Sequence, residues 1–293
     1  MHFTKMHGLG NDFILIDCIK QKLGDLSLEI GDLSKRLCDR RFGIGADQLL
    51  LLYPSEIADF KMRIFNADGS EVEMCGNGIR CLAKYIWDKN LSDKDILNIE
   101  TLAGIVKPEK TGDMVKVDMG EPIFEPEKIP VKVQESGVRS QKSKVKSQKS
   151  QISNLVIDYP LKIEDKEFKI TCVSMGNPHA VIIIDDLSNF SVSHYGPKIE
   201  THPIFPKKIN VEFIEIISDS EIKMRVWERG SGETMACGTG ASASAVAANI
   251  KGLAEKKVTV HLRGGDLFIE WADNNHIYMT GPTTEVFEGV IKI

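Results

Sequence analysis

The chain repeats itself, and the repeat limits what it can fold into. Residues 63–78, RIFNADGSEVEMCGNG, lie without gaps on residues 225–240, RVWERGSGETMACGTG. Arg63 meets Arg225, Ile64 meets Val226, Phe65 meets Trp227, Glu71 meets Glu233 and Cys75 meets Cys237. At nearly the same offset GLGNDFIL (8–15) lies on SMGNPHAV (174–181), pairing Asn11 with Asn177. DQLLLL (47–52) lies likewise on INVEFI (209–214), pairing Gln48 with Asn210. Three matches in one order imply two structurally similar halves. A length of 293 residues suits two domains. We expect 1–119 with 283–293 to form the half carrying Cys75, and 120–282 to form the half carrying Cys237.

Most of the chain reads as strand. ILIDC, KMRIFNA, ILNIETLAG, MVKVDMG, KITCVSMG, AVIIID, NVEFIEIIS, EIKMRVWER, KVTVHLRGG, DLFIEW and HIYMTG are short, β-branched and largely alternating. Helical patterns are fewer: SLEIGDLSKRLCDR, GNGIRCLAKYIWDKN and GTGASASAVAANIKG. Strands that are not regularly interleaved with helices give an α+β class and argue against a doubly wound parallel sheet. The segment 134–154, QESGVRSQKSKVKSQKSQISN, is Ser/Gln/Lys-rich with almost no large apolar residue. It cannot bury enough surface to offset its ordering entropy, so it is expected to be a disordered insertion lengthening a hairpin loop.

A formal net charge of −5 gives no electrostatic reason to expect nucleic acid or an anionic membrane as partner. The opening MHFTKMHGLG lacks the apolar run of a secretory signal, and stretches such as AVIII (180–184) are too short to span a bilayer. A cytoplasmic protein is expected. Of the six cysteines, none forms a CxxC pair, and no His/Cys cluster has zinc spacing. Cys18, Cys38, Cys81 and Cys172 are read as small buried hydrophobes.

Cys75 and Cys237 differ, because each precedes a Gly-x-Gly and then a helix. Glycine allows positive φ and close approach of a ligand to the backbone. A helix start offers unpaired N–H donors and the positive end of the dipole, which favour a carboxylate. The same field should lower the thiol pKa below its ordinary value of about 8.5. If the halves face each other, a substrate carboxylate could be held by Gly76, Asn77, Gly238 and Thr239 with its α-carbon between two sulfurs. One thiolate would remove the α-proton and the opposite thiol would return one on the other face. The held carboxylate would stabilise the enolate-like charge. No P-loop or dinucleotide fingerprint accompanies the glycines and nothing points to pyridoxal phosphate, so the reading is cofactor-free racemisation or epimerisation, with no metal.

The quoted motifs resemble the diaminopimelate epimerases. FTKMHGLGNDFILID (3–17), FNADGSEVEMCGNGIRC (65–81), VSMGNPHAV (173–181), NVEF (210–213), RVWERGSGETMACGTGASA (225–243) and YMTGP (278–282) carry the resemblance over most of the chain. It implies conversion of LL-2,6-diaminoheptanedioate to the meso form, on the route to lysine and peptidoglycan cross-links. It implies two pseudo-symmetric α+β domains, each a strand barrel around a central helix, with the active site in the cleft between them. By the same resemblance Cys75 is the proton donor and Cys237 the acceptor in the LL-to-meso direction. Asn11, Gln48, Asn66, Asn177, Asn210, Glu228 and Arg229 match substrate-binding positions, beside the carboxylate nests of Gly76, Asn77, Gly238 and Thr239. His179 and Glu228 match residues that tune the cysteine pKa values. The Asn residues suit zwitterionic groups and Arg229 can grip a distal carboxylate bidentately. Arg63 and Arg225 read as structural. The resemblance also implies a homodimer, although Phe287 stands where the family often has a tyrosine linked to dimerisation. Three other readings stay open on the residues alone: a related racemase for another amino acid, a thiol redox protein, and a non-catalytic amino-acid-binding protein.

Overall fold

The computed structural model describes residues 1–21, 29–132 and 155–292; the segment 134–154 lies outside the described residues. The chain divides into two compact units, Met1–Asp118 with Thr280–Ile293, and Met119–Met279.

In the first unit Thr284–Val290, His2–Gly8, Asn11–Asp17, Gln48–Tyr53, Phe60–Asn66, Ile99–Thr101 and Gly104–Val106 pair in that order, with Glu71–Val72 added to Phe60–Asn66. Helix α1 (Ile30–Cys38) and helix α2 (Gly76–Asp88) both pack on Gln48–Tyr53. This explains a strand reading QLLLLY, in which Leu49, Leu50, Leu51 and Leu52 are all fully buried. A strand covered on both faces needs no polar side. Leu49 and Leu51 join Ile14, Ile16, Leu33 and Leu37 in the core beneath α1. Leu50 and Phe13 lie instead against Gly78 of α2.

The second unit orders Tyr159–Ile163, Lys166–Ser174, Pro178–Ile183, Asn210–Ile216, Glu221–Glu228, Lys257–Leu262, Gly265–Trp271 and Ile277–Gly281, with Gly232–Thr234 added to Glu221–Glu228. Helix α3 (Val192–Glu200) contributes Val192 and Ile199 to a core with Ala180, Ile182, Val211 and Phe213. Helix α4 (Gly238–Ile250) packs on six strands, from Lys166–Ser174 through Gly265–Trp271. Its sequence, GTGASASAVAANI, is small and apolar all round, the pattern of a helix with no solvent face.

The helix α3 was not legible in the sequence, because Gly196 and Pro197 read as breakers within VSHYGPKIE. Packing requires the glycine: a Cβ there would meet the Trp227 ring at 2.6 Å.

The register bears out the internal repeat. Phe13 pairs with Gln48 and His179 with Asn210, both in parallel. Gln48 then pairs antiparallel with Asn66, and Val211 with Trp227. The matched Arg/Glu pairs are ion pairs in both units: Arg63–Glu71 at 2.7 Å and Arg225–Glu233 at 2.8 Å.

Candidate active site

Each cysteine is the residue that caps its helix. Cys75 holds extended backbone (φ −139°, ψ 117°) at the start of α2, and its sulfur accepts from the Gly78 N–H at 3.4 Å. Cys237 repeats this at α4 (φ −130°, ψ 113°), accepting from the Gly240 N–H at 3.4 Å. Both sulfurs therefore sit among the donor groups that a helix start leaves available.

Beside Cys75 stand the amides of Asn11 and Asn77. Asn11 Oδ1 accepts from the Cys75 thiol at 3.9 Å and from Asn77 Nδ2 at 3.2 Å. The other end of the Asn11 amide donates to Asp47 Oδ2 at 2.9 Å, and Arg40 holds Asp47 at 2.8 Å. Arg40 and Lys5 also grip Asp12. Burial alone would raise the Asp12 carboxyl, but hydrogen bonds and charge from Arg40 and Lys5 hold it at about 2. Arg80, fully buried, donates to Asn77 Oδ1 at 2.9 Å. Gln48 Nε2 donates to Asn66 Oδ1 at 2.8 Å, while Gln48 Oε1 is buried with no hydrogen-bond partner among the described residues.

Around Cys237 the setting is ionisable. The Thr239 hydroxyl lies 3.4 Å from the sulfur and accepts from Asn177 Nδ2 at 3.3 Å. His179 Nε2 reaches Asn177 Oδ1 at 2.9 Å and its Nδ1 reaches Glu212 Oε1 at 2.7 Å. Glu228 accepts from Thr234. Burial raises the Glu228 carboxyl, with the Thr234 and Cys237 hydrogen bonds opposing. Asn210 is buried with both ends of its amide engaged by backbone: Nδ2 on Pro178 O at 3.0 Å, and Oδ1 on the Arg229 N–H at 2.9 Å. The Arg229 side chain is exposed and donates to Lys207 O at 3.3 Å.

One expectation needs correction. The helix start was to lower the thiol pKa, yet Cys237 stands well above its ordinary value. Burial is the largest cause and the Glu228 and Glu212 carboxylates add to it, while the Thr239 hydroxyl and the Gly240 N–H oppose. Two donors at a helix end are outweighed by desolvation and two carboxylates. Cys18, Cys38, Cys81 and Cys172 are all buried, as expected of packing thiols, and burial raises all four.

The structure thus gathers Cys75, Asn11 and Asn77 into one cluster, with Gln48 and Asn66 hydrogen-bonded to each other in the same unit. It gathers Cys237, Thr239, Asn177, His179 and Glu228 into another. Sequence reasoning missed Glu212, Arg80 and Asp47. Glu212 had a signal, since a carboxylate in the strand NVEFIEI sits in a run that otherwise reads as core. Among the described residues no group of three His, Cys, Asp or Glu is placed to hold a metal ion. No described helix is long and apolar enough to cross a membrane.

Two like halves of sheet and helix are an architecture shared with known crystal structures. A phenazine biosynthesis protein of the PhzF family from Bacillus anthracis aligns with TM-score 0.68 at 14% identity, over 100% of this chain and 99% of that one. A probable proline racemase from Agrobacterium radiobacter K84 gives TM-score 0.68 at 14% identity, over 100% and 93%. The class is therefore the two-domain α+β fold common to these proteins. Within it the sequence is specific: the diaminopimelate epimerase family model matches residues 3–125 and 171–286. The diaminopimelate epimerase of Acetivibrio thermocellus is 51% identical over 100% of this chain and 99% of its own length. The chain belongs to the diaminopimelate epimerase family, whose members are isomerases.

Proposed function

We propose that the protein epimerises LL-2,6-diaminoheptanedioate to the meso form without a cofactor, using Cys75 and Cys237 as the two acid–base groups. The observation that carries this reading is the doubling of one device: two cysteines capping two helices in the same backbone geometry. Stereoinversion needs one proton acceptor and one donor on opposite faces of a carbon, and a repeat that supplies two thiols meets that need. The helix-start N–H groups of Gly76, Asn77, Gly238 and Thr239 suit the carboxylate of the reacting centre and its enolate-like charge. In the LL-to-meso direction Cys237 takes the proton and Cys75 returns one; reversal exchanges the roles. Glu228 suits the task of receiving the Cys237 proton as the thiolate forms, since burial raises its carboxyl toward the thiol. His179 opposes that rise, favouring the charged form of the carboxylate.

Asn11, Gln48, Asn66, Asn177 and Asn210 line or support the substrate site, and Gln48 Oε1 offers an acceptor for an ammonium group. Arg229, exposed beside Asn210, serves the distal carboxylate. The halves 1–119 with 283–293 and 120–282 work as the two domains. The reaction places the protein in lysine and peptidoglycan precursor synthesis in the cytoplasm. A homodimer forms through the edge strand Thr284–Val290, on which Phe287 is 47% exposed and stacks edge-on to Phe3. Sedimentation at micromolar concentration tests this: a monomer would discard the dimer.

The function itself is tested by incubating LL-diaminoheptanedioate and other amino acids in D₂O with reductant and following the α-proton. Exchange with inversion is expected for the diamino diacid. Its absence there, with exchange on another amino acid, would reassign the enzyme to that substrate.

A further inference from the structure

The repeat places different residues at the same position beneath the two helices. In the first unit a Cβ added at Gly78 would meet Leu50 at 3.2 Å and Phe13 at 3.4 Å. In the second a Cβ at Gly240 would meet Glu212 Oε1 at 2.7 Å, and His179 stands where Phe13 stands. An apolar pair therefore suffices for the fold. The ionisable pair is costly by comparison, since both side chains are fully buried and Glu212 Oε2 has no hydrogen-bond partner among the described residues. That cost points to a function.

We propose that Glu212 is a positioning residue, the base of a hydrogen-bond chain that aims the Thr239 hydroxyl at the Cys237 sulfur. The direction of each bond follows from what each atom can do. Asn177 Oδ1 only accepts, so His179 Nε2 must carry a proton toward it at 2.9 Å. One further proton lies between His179 Nδ1 and Glu212 Oε1 at 2.7 Å, which fixes the ring. With its oxygen held by His179, the Asn177 amide turns Nδ2 to Thr239 Oγ1 at 3.3 Å. The Thr239 oxygen, having accepted there, has its own proton to direct at the sulfur 3.4 Å away. Removing Glu212 frees the His179 ring to take the other tautomer, and every later bond loses its direction.

This rests on the proposed role of Cys237, and the tests separate the two. In wild-type protein labelled with ¹⁵N-histidine, His179 Nε2 is expected to carry the proton. An Nε2 without a proton overturns the chain whatever the activity. For kinetics, Glu212→Gln keeps a hydrogen-bonding group on Nδ1 and is expected to keep more of the wild-type kcat/KM than Glu212→Leu, with a pH profile shifted by loss of the carboxylate that raises Cys237. Glu212→Leu, lacking that group, is expected to lose roughly 10²-fold in kcat/KM, the scale of a misplaced reacting group. Equal loss in both variants overturns the proposal. Should the leucine variant not fold, His179→Phe with Glu212→Leu gives this unit the apolar pair of the other. That double variant is expected to fold and to lose activity, and full activity in it also overturns the proposal. Wild-type protein that exchanges no α-proton would defeat the epimerase reading instead, and the NMR result would still decide the chain.

Discussion

Cys75 and Cys237 cap their helices within about ten degrees of the same φ and ψ, and each accepts an N–H from three residues on at 3.4 Å. Their surroundings diverge at three matched positions. Where the first unit has Phe13, Leu50 and Asn66, the second has His179, Glu212 and Glu228. The first thiol donates to the Asn11 amide, while the second is buried against carboxylates that raise it. The repeat thus supplies equal geometry, and the carboxylates substituted within it raise the proton affinity of Cys237.

The sharpest way to break this comparison is to erase it. Glu228→Asn gives the second unit the residue of the first and is expected to lower kcat by about 10²–10⁴-fold, the range for a lost proton-transfer partner. Because the Glu228 charge raises Cys237, the acid limb of the remaining activity should move to lower pH. An unmoved limb in the pH profile would show that Glu228 does not tune this thiol.

Stability should be unequal as well. Arg225 bridges Glu233 and also donates to Leu187 O at 3.2 Å and Phe190 O at 2.8 Å, whereas Arg63 bridges Glu71. Arg225→Ala is expected to cost about 2–3 kcal/mol in denaturant melts, through carbonyls left unsatisfied. Arg63→Ala should cost about 1 kcal/mol or less, as for a part-exposed ion pair. Gly240→Ala must displace a Glu212 oxygen pinned by His179, whereas Gly78→Ala meets a movable leucine methyl. The former should be the less stable by about 1–2 kcal/mol. The smallest effect concerns acid. Asp12 has a lower pKa folded than its ordinary 3.8, so its stabilisation is full above that value and is lost as pH falls toward about 2. Asp12→Asn should flatten the decline in stability over that interval.

Much of this was legible in the sequence. The gapless match of 63–78 on 225–240 gave the two halves and paired the cysteines. Alternation gave the strands, and Gly-x-Gly before an apolar run gave α2 and α4. The helix α3 escaped because a glycine chosen for close packing on Trp227 looks like a breaker in one dimension. The pKa of Cys237 was misjudged because the helix start is local in sequence, while the opposing carboxylates arrive from strands 9 and 25 residues away. Glu212 escaped because its partner His179 lies on a neighbouring strand, and only the parallel register brings them together.

The central claim is that both thiols are required, although Cys237 sits against carboxylates that raise it. Inversion of LL-diaminoheptanedioate in D₂O by wild type, Cys75→Ala and Cys237→Ala, each under reducing conditions and with its fold checked by circular dichroism, tests it most directly. The account predicts inversion with deuterium at the α-carbon for wild type and no inversion for either variant. Full epimerisation by either single-cysteine protein would contradict it.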